Sequence, residues 1–238
     1  MKARLVSLNL IRMLALLAEP MAAGRGQIEE AKVRYPRMAP MERYLMDRNE
    51  EIAMAQSAAP AAISRGAEVL ILGRLGYETA LKGTNGFVCL VERSWTSGID
   101  EPEFWNPNLR APICFNPPAA RSHLPLTLKK TALVLAGLSK GQLFESLQSS
   151  FEKRELPVPE AGSMCYMMSR QAYFGERYGH WIPHLMFFVP QTDVAAWGAS
   201  LPGSPIMVFQ DSPDRLTVFM IPVAKWSDGS AAPSIAGK

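Results

Sequence analysis

Chemistry at neutral pH needs cysteine, histidine or paired carboxylates, and this chain of 238 residues holds only three cysteines and three histidines. Two of the histidines, His180 and His184, stand four residues apart in the stretch GHWIPHLMFFVP. On a helix that spacing places both imidazoles on one face, where they chelate a single ion. Pro183 lies between them, however, and Leu, Met, Phe, Phe and Val follow, so 183–189 reads as a strand. In extended chain the two rings stand about 13 Å apart, too far to share one ion. A common metal would require a sharp bend at Trp181 or Pro183, with Cys165, Met167 and Met168 as soft ligands suited to Cu(I). No metal site is assigned on this pattern, and the thirteen methionines read as core filler.

Cys165 and His184 are the catalytic candidates, because they fall on two predicted strands joined by one loop. A thiol hydrolase needs a thiolate activated by a nearby imidazole, with the nucleophile at an exposed helix start. Cys89 and Cys165 lie inside strand-like runs, and Cys114 leads into Asn116-Pro117-Pro118, so none has that setting. The chain has no G-x-S-x-G motif, which leaves Ser122-His123 as the only serine and histidine side by side in the irregular region. Asp100, Glu101, Glu103 and Glu176 supply carboxylates, but sequence does not fix the separation that a glycosidase mechanism demands. As ligand-binding residues the pattern selects Tyr166, Tyr178, His180, Trp181 and His184, on or beside an aromatic loop over 171–182.

The elements that must position these residues follow from periodicity and punctuation. Residues 41–59 combine good helix formers with a stop at Pro60, which predicts one helix. Short β-rich runs at 67–73, 77–82 and 87–93, separated by glycine-bearing turns, predict an antiparallel three-stranded meander. From 94 to 125 six prolines are scattered among Trp95, Phe104, Trp105 and Phe115, predicting a long ordered loop that packs through its aromatics. Helices are expected at 126–137 and 139–156, the second with Ser139 and Gln142 in capping-box spacing. Strands follow at 163–169 and 183–189, and a hairpin at 205–210 and 215–223 around Asp211-Ser212-Pro213-Asp214. The expected architecture is α+β, a mainly antiparallel sheet with helices packed on one face and a long Pro/Trp-rich loop.

Composition bounds the rest. At 48% hydrophobic and 20% charged, the chain belongs to the ordinary globular class. Of the net +3, residues 1–24 carry +2 through Lys2, Arg4 and Arg12 against Glu19, leaving +1 for the remainder. No basic patch interleaves with aromatics, so nucleic acid is not an expected partner. The basic start, apolar middle and Ala22-Ala23-Gly24 end predict a secretory leader over 1–24, although Arg12 interrupts the apolar run. A linker at 25–40, one domain over 41–226 and a flexible tail at 227–238 complete the organisation, with no membrane-spanning segment after the leader. In an oxidising compartment the odd cysteine count implies one disulfide, Cys89 with Cys114, and a free Cys165; in a reducing one all three are buried thiols. The expected function is that of an exported (periplasmic or extracellular), soluble protein without cofactor, binding an unknown ligand or protein partner through its aromatic loops. A Cys/His-dependent hydrolase and a copper- or zinc-binding periplasmic protein are the alternatives.

Overall fold

A computed structural model describes residues 35–211 and 213–233; the leader expected over 1–24 lies outside the described residues. Eight strands form one sheet in the order β2-β1-β3-β4-β5-β6-β8-β7. The strands are β1 (Glu68–Gly73), β2 (Gly76–Leu81), β3 (Val88–Glu92), β4 (Ala111–Phe115), β5 (Met164–Met167), β6 (His184–Pro190), β7 (Met207–Asp211) and β8 (Leu216–Pro222). Every neighbouring pair is antiparallel except β1 with β3.

That parallel pair corrects the expected meander. β1 and β2 do form a hairpin, but the glycine-bearing segment after β2 returns to the start of β1 instead of closing a second turn. Thr84 donates its backbone N–H to the Gly66 carbonyl (2.7 Å), and Glu68 N–H reaches the Phe87 carbonyl (2.8 Å). Gly83 makes the crossing possible, since a Cβ there would stand 2.2 Å from the Glu68 nitrogen. β3 therefore enters beside β1 running the same way, on the side away from β2.

The loop expected over 94–125 also contains regular structure: β4, then helices α3 (Pro117–Ser122) and the start of α4 (Leu124–Leu135). Pro117, Pro118 and Pro125 occupy first-turn positions, where a helix does not need their missing N–H groups. Asn116 caps α3 by accepting the Ala119 N–H at 3.0 Å. A 3-10 turn at Ser94–Thr96 precedes the irregular stretch up to 110, and Trp95 and Phe104 are fully buried beside Tyr44, Leu143 and Leu147.

The helix expected over 41–59 is likewise broken. Met41–Arg43 is a single 3-10 turn, Asp47 caps α1 (Arg48–Gln56) by accepting the N–H groups of Asn49 and Glu50, and Pro60 opens the short α2 (Ala61–Ser64). A buried ion pair docks α1: Arg93 Nη2 meets Glu51 Oε1 at 2.8 Å, and that oxygen also accepts the Leu72 N–H at 3.1 Å. Beneath α1, Ala55, Ala58 and Ala59 pack on Val69, Cys89, Val91 and Cys114. The strand residues that alternate with these, Leu70, Val88, Leu90, Ile113 and Phe115, pack instead with Ala119 and Leu124 of α3 and α4. Helices thus cover both faces of the central strands, in place of the one face expected. Small alanines let α1 approach closely, and the last helix, α5 (Lys140–Glu152), realises the predicted Ser139/Gln142 capping box.

Cys89 and Cys114, directly opposite in β3 and β4, are joined by the predicted disulfide, and Cys165 is a free buried thiol. The β7–β8 hairpin forms as expected. The segment expected to fray beyond 227 is tied down through residue 231: Ser227 N–H reaches the Met168 carbonyl (3.0 Å), and Lys225 bridges Ala231. Asp228 closes that turn by accepting the Ser230 N–H at 2.9 Å. Among the described residues no helix is long and apolar enough to cross a membrane.

Candidate functional site

The residues selected from the sequence do not converge. His180 sits in the aromatic loop with Nδ1 2.7 Å from the Ala172 carbonyl and its ring edge-on to Tyr173. His184 opens β6, 3% exposed, with Nδ1 2.8 Å from the Ile182 carbonyl. A carbonyl can only accept, so Nδ1 carries the proton there, and burial pulls the imidazole down to about 4 and keeps it neutral. Each ring therefore spends a nitrogen on a different backbone carbonyl. Among the described residues no three His, Cys, Asp or Glu side chains are grouped to hold a metal ion.

Cys165 lies opposite Met186, while His184 lies opposite Met167, so the thiol and the imidazole are diagonal neighbours on one sheet face. No hydrogen bond joins them: the imidazole Nδ1 is turned to the Ile182 carbonyl. Burial pushes the fully enclosed thiol well above its ordinary value, so it stays protonated beside a neutral imidazole. Neither the thiolate nor the imidazolium of a Cys/His nucleophile is favoured in this setting. Tyr166 points to the opposite sheet face, 6.3 Å from Phe87. Tyr178 and Trp181 meet edge-on at 5.1 Å on the loop, with Arg177 over the Tyr178 ring.

That loop is held by a carboxylate. Glu103 accepts the backbone N–H groups of Glu176 and Arg177, both at 2.9 Å, and the Asn106 side-chain amide at 2.7 Å. Gly175 lies so close that a Cβ would fall 1.9 Å from Glu103 Oε2. Glu103, one of the four acids left unassigned from sequence, is thus an anchor for the loop.

The third histidine, His123, lines a cavity of about 360 Å³, within the usual size range of small-molecule sites. The α3–α4 junction supplies Ser122 and His123, the end of α5 and the following chain supply Phe151 to Pro159, and the β7–β8 turn supplies Asp214 to Leu216. Most of the wall is apolar. His123 stacks on Phe188 with ring centres 3.9 Å apart, and burial, with Lys130 nearby, holds it down to about 3. Ser122 is committed elsewhere: its hydroxyl donates to the Pro118 carbonyl at 2.8 Å, accepts the Glu160 N–H at 3.0 Å, and lies 2.9 Å from Ser163 Oγ. Ser122 and His123 therefore do not form a nucleophile–base pair.

Asp214 is the polar group of interest in the wall. Its Oδ2 meets Lys130 Nζ at 2.5 Å, both residues being buried, and Lys130 also donates to the Ser97 carbonyl at 3.2 Å. Its Oδ1 is enclosed and has no hydrogen-bond partner, a condition shared among the described residues only with Ser94 Oγ. Burial raises the Asp214 carboxyl to about 6 against the opposing pull of Lys130. Further in, Thr127 Oγ1 donates to Glu92 at 3.0 Å, and burial pushes that carboxyl up to about 7. Thr131 accepts from the Trp95 indole N–H at 3.0 Å. His123, the residue before α4, and Thr127, Lys130 and Thr131 within it recur at helical spacing on one stripe, of which His123 lines the cavity and Lys130 reaches Asp214 behind it. That spacing is the signal in the sequence that could have pointed here.

The chain matches no family model, no curated protein and no solved structure.

A mostly apolar chamber of this size can hold a small, largely apolar molecule. Asp214, Lys130 and Glu92 were absent from the sequence-derived site because each reads there as an ordinary turn, helix-surface or strand-end residue.

Proposed function

We propose that this protein binds a small, largely apolar molecule in the His123–Asp214 cavity and works in an oxidising compartment outside the cytoplasm. The observation that carries the first part is the cavity itself, about 360 Å³ and walled mostly by apolar side chains, with His123 stacked on Phe188 beside it. The Cys89–Cys114 bond supports the second part, because disulfides persist where the surroundings are oxidising. The aromatic loop receives less support as the binding surface, since Tyr166, His184 and the Tyr178–Trp181 pair stand in three separate places. The hydrolase reading has a protonated thiol and a neutral imidazole, and the metal reading has two rings bound to separate carbonyls.

Methyl-resolved NMR during titration with the neutral fluorophore phenylnaphthylamine tests the binding reading. Saturable shifts confined to Leu126, Leu156, Val158 and Leu216, which line the cavity, are expected. Shifts centred on the Tyr178–Trp181 loop, or no saturable binding, would overturn it. For the compartment, alkylation of the denatured protein taken directly from its host should label one thiol; three labelled thiols would place the chain in a reducing environment.

A further inference from the structure

Four side chains with sulfur or imidazole donors stand at the corners of one cell of the sheet. In the β5–β6 ladder Cys165 lies opposite Met186, and two residues along Met167 lies opposite His184, so all four share one face. Directly opposed residues have Cβ atoms about 4.5–5.5 Å apart, and same-face neighbours along a strand stand about 7 Å apart. A thioether sulfur lies two bonds beyond its Cβ and an imidazole Nε2 three, so side chains on such a cell can meet at one ion with bonds of about 2.0–2.3 Å. Cys165 is fully enclosed, Met167 and His184 are nearly so, and Met186 is half-buried, which leaves one corner open to an entering ion.

Methionine as core filler accounts for the two thioethers but not for the imidazole among them. His184 donates Nδ1–H to the Ile182 carbonyl at 2.8 Å, so Nε2 carries the lone pair, and no described residue donates to it. Histidine ligands are commonly held this way, the second ring nitrogen fixed by a backbone carbonyl. Three sulfurs and one imidazole suit a soft ion. Charge narrows the choice further. Phe115, opposite Cys165, and Phe188, two residues beyond Met186, make the surroundings apolar. A Cys165 thiolate with a monovalent ion is neutral there, whereas a divalent ion leaves a buried net charge. Glu92 is close enough for its charge to act on the thiol, but desolvation pushes it toward its own neutral form.

We propose that Cys165, Met167, His184 and Met186 form a soft-metal site that binds one Cu(I) ion, the Cys165 proton passing to solvent as the ion enters. The site is distinct from the His123–Asp214 cavity, which none of the four residues lines, and it stands whether or not that cavity holds a ligand. His180 and Met168 take no part, because His180 lies in the aromatic loop and Met168 beyond the end of β5.

Under nitrogen and with the disulfide intact, the protein should withdraw one Cu(I) per chain from its bicinchoninate complex, and excess Zn(II) should not compete. Because a buried thiol alone also takes Cu(I), the thioethers decide the matter. Met167→Leu and Met186→Leu keep nearly the same volume, so each should leave the thermal midpoint of the metal-free protein close to wild type. Each should also weaken Cu(I) binding about tenfold or more. Ag(I), a soft ion of the same charge, gives a direct reading in wild type. With methyl-labelled methionine, the signals of Met167 and Met186 should move to a one-to-one end point while those of Met38, Met41 and Met54 stay. No withdrawal of Cu(I), unchanged affinity in the leucine variants, or shifts spread equally over all five methyl groups would overturn the site.

Discussion

Glu92→Gln is expected to stabilise the protein at alkaline pH and to leave it unchanged in acid. The carboxyl is half-buried beside α4 and accepts from Thr127 Oγ1 at 3.0 Å, and desolvation, outweighing the pull of Thr127, Lys130 and Thr96, raises it from 4.5 to about 7. A carboxyl with a folded-state value above its unfolded one holds its proton more firmly in the native protein. Its stabilising contribution is complete below pH 4.5 and is lost as pH rises through about 7. At 1.36 kcal/mol for each pH unit between those values, wild type forfeits ~3 kcal/mol by pH 8. Glutamine keeps an oxygen for Thr127 and never ionises. Urea denaturation with the disulfide intact, repeated from pH 4 to pH 8.5, reads the difference directly. The two proteins should coincide near pH 4 and separate to ~3 kcal/mol in favour of the variant by pH 8. A difference that does not change with pH, or a variant less stable at pH 8, would refute the account of Glu92 as a desolvated acid.

His184→Gln should do the opposite: the wild-type imidazole is held at about 4, so its stabilising contribution is present above 6.5 and disappears as pH falls toward 4, some ~3 kcal/mol that the variant's acid-denaturation curve should lack. Reducing the Cys89–Cys114 bond, or replacing both residues with serine, releases a loop closed across 25 residues and should cost about 3–4 kcal/mol in denaturant titrations; no change on adding reductant would show that the bond contributes nothing. Gly175→Ala should displace Glu103 from its two backbone donors, since a Cβ there falls 1.9 Å from Oε2, and trypsin should then cut after Arg177 about tenfold faster; unchanged cleavage would remove Glu103 as the anchor of the aromatic loop.

Local signals in the sequence were legible where they acted locally. The Ser139/Gln142 capping box, the Asp211-to-Asp214 turn and the tethering of β3 to β4 through Cys89 and Cys114 all depend on neighbours in sequence or on one short excursion. Two failures share one cause, a residue type read without its position. Prolines at 117, 118 and 125 read as breakers, though at the first turn of a helix they cost nothing. Glycines between β2 and β3 read as a hairpin turn, though Gly83 is there to let two stretches of backbone cross. The covering of both faces was present in the sequence as well, because β1, β3 and β4 read as unbroken apolar runs and an open face would alternate. The site was less legible. Its parts come from the α3–α4 junction, the α5 terminus and the β7–β8 turn, and no spacing links them.

A buried ion pair is a poor device for stability, since apolar residues of similar volume commonly serve as well or better. Lys130 and Asp214 nevertheless occupy the interior under the cavity, and the carboxylate has one oxygen that the lysine does not satisfy. The double variant Lys130→Met/Asp214→Leu is therefore expected to match or exceed wild type in urea denaturation at pH 7. The single variant Lys130→Met leaves the carboxylate buried without its cation and should lose about 3–5 kcal/mol. A double variant that loses as much as the single one would show that the pair supports the fold beyond the mutual neutralisation of its two charges.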